Sequence, residues 1–244
     1  MSAWLDAAGR FFNPEPKLSV LPLQHARSCV VIDDVLANPK GLVAWALEQA
    51  FEPPSGYPYP GLVLDAQAPM AERMADHFNQ HVRRHVGARR TLDLTLRLSL
   101  VTVPPAQLEP RQWQCHRDRV AGEGSRILFA ASVLYLFHDA ALGGTSFYVP
   151  RQSSAATDQM LADSQMLDAH AFSTRYGVAQ GYMMGTNAYF ERIAQVPAAW
   201  NRAIYYDGGL FHSADIDRPD LLSADAAKGR LTLNGFFTCK RMAN

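Results

Sequence analysis

Six residues of this chain, Trp113-Gln114-Cys115-His116-Arg117-Asp118, contain an H-x-D pair. On an extended segment, residues two apart point to the same side, so His116 and Asp118 can reach one metal ion. Two imidazoles and one carboxylate hold one face of a non-haem Fe(II) and leave positions open for other ligands. The pair is two arms of such a triad, and short motifs of this kind recur by chance. The chemistry therefore depends on a third ligand further along. Tyr205-Tyr206-Asp207-Gly208-Gly209-Leu210-Phe211-His212-Ser213 supplies the candidate. His212 follows a strand and a glycine turn, a place from which a side chain is aimed from a fixed edge. Eighteen residues after it, Gly229-Arg230-Leu231-Thr232 opens an alternating strand. Arg230 and Thr232 share one face there, and a guanidinium fork beside a hydroxyl suits a carboxylate.

The elements that must position these residues are legible in the periodicity. Residues 28–35 include the run Cys29-Val30-Val31-Ile32, a first strand. Asn38-Pro39 reads as a helix cap with proline at the first helical position. Leu42, Val43, Ala46, Leu47 and Ala50 follow at helical spacing, and Pro53-Pro54 ends that helix. Tyr57-Pro58-Tyr59-Pro60-Gly61 is a rigid aromatic loop. A second helix runs from Pro69 to near Gly87, with Met70, Met74, Phe78 and Val82 as its apolar stripe. His77, His81 and His85 recur every four residues on it, but they interleave with the stripe and no carboxylate joins them. A packed groove explains them better than a metal.

From residue 91 the pattern changes. Leu92, Leu94, Leu96, Leu98 and Leu100 alternate with Asp93, Thr95, Arg97 and Ser99, a half-buried strand. Further strands are expected over residues 127–137, 145–149, 189–196, 203–206 and 231–239, with a helix over 154–172 whose Asp158, Asp163 and Asp168 face solvent. Many short strands with turns between them indicate a barrel or double-sheet jelly roll.

Composition narrows the function. The chain has 244 residues, 48% of them apolar and 19% charged, enough for a sizeable core. With 23 basic and 23 acidic residues the net charge is zero, which argues against nucleic acid or an anionic membrane as partner. Cys29, Cys115 and Cys239 are widely spaced, so neither a disulfide framework nor a structural zinc site is expected, and a reducing cytoplasm fits. The opening residues have no secretory pattern, and no apolar run is long enough to span a bilayer.

The order H-x-D, strand, Gly143-Gly144-Thr145-x-Phe147, strand, His212, Arg230-x-Thr232 resembles the Fe(II)/2-oxoglutarate-dependent oxygenase superfamily, in its prolyl-hydroxylase-like branch. The resemblance covers roughly residues 92–239. It implies a mainly β fold with supporting helices (α+β), a cupin-like double-stranded β-helix or jelly roll with N-terminal helices packed on one side. It implies one domain over residues 1–244, with 1–90 as helical support and 91–240 as the core. His116, Asp118 and His212 would ligate Fe(II). Arg230, accompanied by Thr232, would hold the distal carboxylate of 2-oxoglutarate, and Tyr135 would face the site. O2 is the further co-substrate, and hydroxylation of a small molecule or peptide, with release of succinate and CO2, is the default outcome. Two departures stand out. Residues 218–228 lengthen the gap between His212 and Arg230, which makes Arg218 the rival for the carboxylate. The glycine pair runs straight into Thr145, where the family often has an acidic residue. A metal-binding protein of this fold without turnover, or a cupin-like metalloenzyme independent of 2-oxoglutarate, is the alternative. Cys115, next to His116, is either a target of oxidative self-damage or a buried, inert thiol.

Overall fold

The leucine alternation of residues 92–100 lies within the longest strand of the molecule. The computed structural model describes residues 2–24, 27–122 and 125–242. In chain order its regular elements are β1 (Lys17–Pro22), β2 (Ser28–Asp33), α1 (Pro39–Leu47), β3 (Gly61–Asp65), α2 (Ala68–His77), β4 (Ala88–Val101), β5 (Ile127–Tyr135), β6 (Thr145–Pro150), α3 (Ser154–Met166), α4 (Ala169–Tyr176), β7 (Phe190–Val196), β8 (Arg202–Asp207), β9 (Phe211–Ala214) and β10 (Arg230–Arg241). A seven-stranded sheet has the order β1-β2-β8-β5-β10-β4-β3, and a three-stranded one the order β7-β6-β9. Every pairing is antiparallel. The H-x-D stretch extends the small sheet, because His116 bridges His212 of β9.

From β4 onward the chain passes repeatedly between the sheets. β4, β5, β8 and β10 lie side by side in the large sheet, while the His116 segment, β6, β7 and β9 make up the small one. Strand alternation then sorts the side chains into two layers. One face of the large sheet carries Leu98, Leu100, Leu134, Leu231 and Leu233, which share a core with Leu42 and Ala46 of α1 and Met70 and Met74 of α2. The opposite face carries Ala131, Tyr135, Ile204 and Tyr206, packed with Phe147 of β6 and Leu142. A third cluster, with Cys115, Tyr148, Met160 and Phe172, joins α3 and α4 to the rest.

The residues before 91 are more than helical support, since β1, β2 and β3 supply three of the large sheet's strands. β3 is only five residues long and emerges from a proline-rich loop, and it pairs along its length with β4. The helix expected over 154–172 is two helices. Asp168 turns its carboxylate back onto the backbone N–H of Ala171 at 2.8 Å and caps α4. Asp163 is buried rather than solvated, accepting from Gln159 at 2.8 Å and pairing with Arg175 at 3.0 Å.

The histidine series divides as well. His77 is buried against Phe12 with ring centroids 3.9 Å apart, whereas His81 and His85 are exposed. Burial, with His81 beside it, holds the His77 imidazole down at about 4. An unfolded histidine titrates near 6.5, so His77 contributes stability that is complete above that value and lost as pH falls through about 4. We expect the wild type to lose about 3 kcal/mol more than His77→Phe between pH 7 and pH 4. Denaturant unfolding across that range measures it, and parallel pH profiles would show that His77 is not held neutral.

Candidate metal centre

Backbone pairing brings the three expected ligands together. The N–H of His116 donates to the carbonyl of His212 at 2.9 Å, and the reverse bond is also 2.9 Å. Two residues on, the N–H of Asp118 donates to the carbonyl of Gly208 at 2.9 Å. The glycine turn after β8 is thus the seat of the carboxylate, and a Cβ on Gly208 would stand 3.3 Å from Asp118 Oδ2. One ligand atom from each of His116, Asp118 and His212 lies within 4.8 Å of the others.

The chemistry of this donor set fits a metal ion. Both Nε2 atoms are 3.6 Å from Asp118 Oδ1, too far for a hydrogen bond and close to the spacing of ligands around one cation. Asp118 Oδ2 is buried with no hydrogen-bond partner among the described residues. An orphaned buried carboxylate oxygen is costly unless a cation compensates it. Burial alone would raise the Asp118 carboxyl, but His212 and His116 outweigh it and hold the group well below the usual carboxylate range. Burial alone would depress His212, but the Asp118 carboxylate raises it.

The tautomer of His212 follows from its surroundings. Its Nδ1 sits 2.9 Å from the carbonyl of Leu210, which only accepts, so Nδ1 carries the proton and the neutral ring presents Nε2 to a metal. The Tyr206 and His212 rings meet edge to face with centroids 4.8 Å apart, and Phe147 braces Tyr206 at 5.1 Å. The sequence reading placed Tyr206 on a strand without assigning it to the site. Its signal was the alternation of β8, which puts Ile204 and Tyr206 on the inward face. The His116 side chain is 56% exposed, so the centre opens to solvent on that side.

Arg230 lies on the same inward face. β10 register sets Thr232 opposite both Ser99 and Tyr135, so Arg230, Thr232 and Tyr135 look into the space between the sheets. Arg230 is buried; its Nε donates to the Gly143 carbonyl at 3.2 Å and its Nη2 to that of Gly144 at 3.0 Å. Those bonds orient the guanidinium, and its Nη1 has no hydrogen-bond partner among the described residues. The glycine pair is needed for this approach. Gly143 has a φ of +87°, and a Cβ there would collide with the Asp215 carbonyl. Thr232 is buried with its Oγ1 3.5 Å from the Ser99 carbonyl, and Tyr135 shares a hydrogen bond of 2.8 Å with Thr145. Arg218, the rival, is exposed and grips Asp220 at 2.9 and 2.7 Å. It does not join the group. Cys115 is buried among Tyr148, Met160 and Phe172, and burial pushes its thiol up, which favours the inert alternative.

The profile of a family described as "Family of unknown function (DUF6445)" matches residues 14–237. No curated protein matches the chain by sequence. Among solved structures, HygX from Streptomyces hygroscopicus with nickel, 2-oxoglutarate and hygromycin B bound is similar at a TM-score of 0.48 and 13% identity, covering 87% of this chain and 82% of that one. SnoK, a non-heme alpha ketoglutarate dependent carbocyclase from nogalamycin biosynthesis, has a TM-score of 0.48 and 12% identity over 88% of this chain and 81% of its own. A Pseudomonas putida prolyl-4-hydroxylase has a TM-score of 0.40 and 15% identity, with full coverage of both chains, 100% and 100%. Among the described residues no helix is long and apolar enough to cross a membrane.

Proposed function

This chain belongs to DUF6445, a family of unknown function, and on that footing we propose that it is a non-haem Fe(II)- and 2-oxoglutarate-dependent oxygenase built on a double-stranded β-helix, hydroxylating a small molecule or peptide. The observation that carries the reading is the convergence of His116, Asp118 and His212 within 4.8 Å, with Asp118 Oδ2 buried without a hydrogen-bond partner among the described residues. His116 and His212 would hold the metal through Nε2, and Asp118 through its carboxylate. Iron, when bound, supplies the oxygen-activating chemistry.

The residues of the chain do the rest. The Leu210 carbonyl keeps the proton on His212 Nδ1, so Nε2 would be the atom that holds the metal. Arg230 binds the distal carboxylate of 2-oxoglutarate through its Nη1 side, and Thr232 lies beside it. The apolar layer around Phe147, Ile204 and Tyr206 keeps water from that inner end and strengthens the ionic contact there. The open His116 side admits the substrate.

Anaerobic titration of the purified protein with Fe(II) and 2-oxoglutarate tests this. A visible charge-transfer band should form when both are present and with neither alone, and admission of air should yield succinate. Stoichiometric iron without the band would point instead to a metal protein, or a cupin-like enzyme, that does not use 2-oxoglutarate.

A further inference from the structure

The inward face of the large sheet carries a second guanidinium with no role so far. Arg97 of β4 lies opposite Asn234 of β10, two pairs along from the row of Ser99, Thr232 and Tyr135, so it shares their face. Arg230 pairs with Val101, four residues further along β4, which sets the two arginines about 13 Å apart along the strand. Arg97 is half-buried. Its Cζ lies 4.0 Å over the Tyr57 ring and 4.5 Å over the Phe236 ring. None of the ion pairs among the described residues involves it, although Asp65 stands directly across on β3.

Rings over a guanidinium engage its π surface and leave the N–H donors in its plane for a partner. A planar carboxylate fits that edge with two parallel bonds. Two hydroxyls lie on the same face. Ser99 Oγ, next on this face, and Tyr59 Oη are buried beside each other, and neither makes an ordinary hydrogen bond among the described residues. The Tyr59 hydroxyl, pushed up to about 12 by burial, feels the charge of both Arg230 and Arg97. These polar atoms thus lie between the two cations. A single fork flanked by rings suits a carboxylate on an apolar body better than a phosphate, which draws on a cluster of donors.

We propose that Arg97 is the specificity-determining residue for substrate: the molecule acted on carries a carboxylate, seated on the Arg97 edge with its apolar body against Tyr57 and Phe236, while 2-oxoglutarate occupies Arg230. The inference rests on the oxygenase reading, and its test is scored separately. Aliphatic, aromatic and N-acylated amino-acid monocarboxylates, each paired with its primary amide, are titrated into protein loaded with redox-inert Zn(II) and 2-oxoglutarate, and into metal-free protein. Saturation-transfer NMR reads binding. Acids should bind at least about tenfold more tightly than their amides. Arg97→Gln should erase that difference while 2-oxoglutarate still binds, and Arg97→Lys should restore part of it. Equal binding of acids and amides to the wild type, no binding of either, or an acid preference that survives in Arg97→Gln overturns the proposal. So does loss of 2-oxoglutarate in Arg97→Gln, which would give Arg97 to the co-substrate. Failure of the wild type to take up 2-oxoglutarate sinks the oxygenase reading instead, and the acid-against-amide difference on metal-free protein still decides Arg97.

Discussion

Asp118→Ala loses tight Fe(II) binding, by at least about 100-fold, and keeps its fold. The size follows from charge. Asp118 is the one anion of the triad, with one oxygen facing both imidazoles and the other buried without a hydrogen-bond partner among the described residues. Without it, two neutral rings must hold a dication in a half-buried site. The fold survives because the neighbouring backbone bonds, from His116 to His212 and from Asp118 to Gly208, do not use the side chain. Asp118→Asn separates charge from shape, since it keeps the size of the group and still weakens iron. His116→Ala and His212→Ala should each lower iron stoichiometry too. His116 is the cleaner variant, being 56% exposed and costing little stability. Iron per chain by elemental analysis, with circular dichroism as the control for folding, measures all four. Unchanged affinity in any variant removes that residue from the centre.

The second large effect belongs to Arg230. Arg230→Ala should weaken 2-oxoglutarate by 10²-fold or more while sparing Fe(II), because removing one partner of a buried charge pair costs roughly 3–5 kcal/mol and each 1.4 kcal/mol is about tenfold. The same change strips the Gly143 and Gly144 carbonyls of their donor, so a loss of stability of about 1–3 kcal/mol accompanies it. Retained iron binding shows that the variant is folded. Arg230→Lys recovers only part of the affinity, keeping the charge without the fork. Arg218→Ala should change nothing, since Arg218 lies exposed with Asp220. Weakened 2-oxoglutarate in Arg218→Ala and not in Arg230→Ala would reverse the assignment.

Much of the site was legible because its determinants are local. His116 and Asp118 are two residues apart, as are Arg230 and Thr232, and strand alternation alone puts each pair on one face. The leucines of β4, the Asn38 cap, which accepts from the Gly41 N–H at 3.0 Å, and the glycine turn before His212 are local signals too, and the structure bears them out. The choice between Arg218 and Arg230 was open in the sequence, since both lie beyond His212 and either is a guanidinium. Tertiary structure gives them different surroundings: Arg218 is exposed on Asp220, while Gly143, 87 residues before Arg230, turns its carbonyl toward Arg230, and no local pattern encodes a bond of that span. The same holds for buried Asp163 and for β3, which pairs along its length with β4. Arg97 is the sharpest case. In the sequence it was one polar residue in an alternating strand, as ready to face water as a cavity. Only the packing of Tyr57 from a distant loop and Phe236 from β10 against its side chain half-buried the guanidinium. Alternation states which residues share a face, but what covers the face depends on segments far away in the chain.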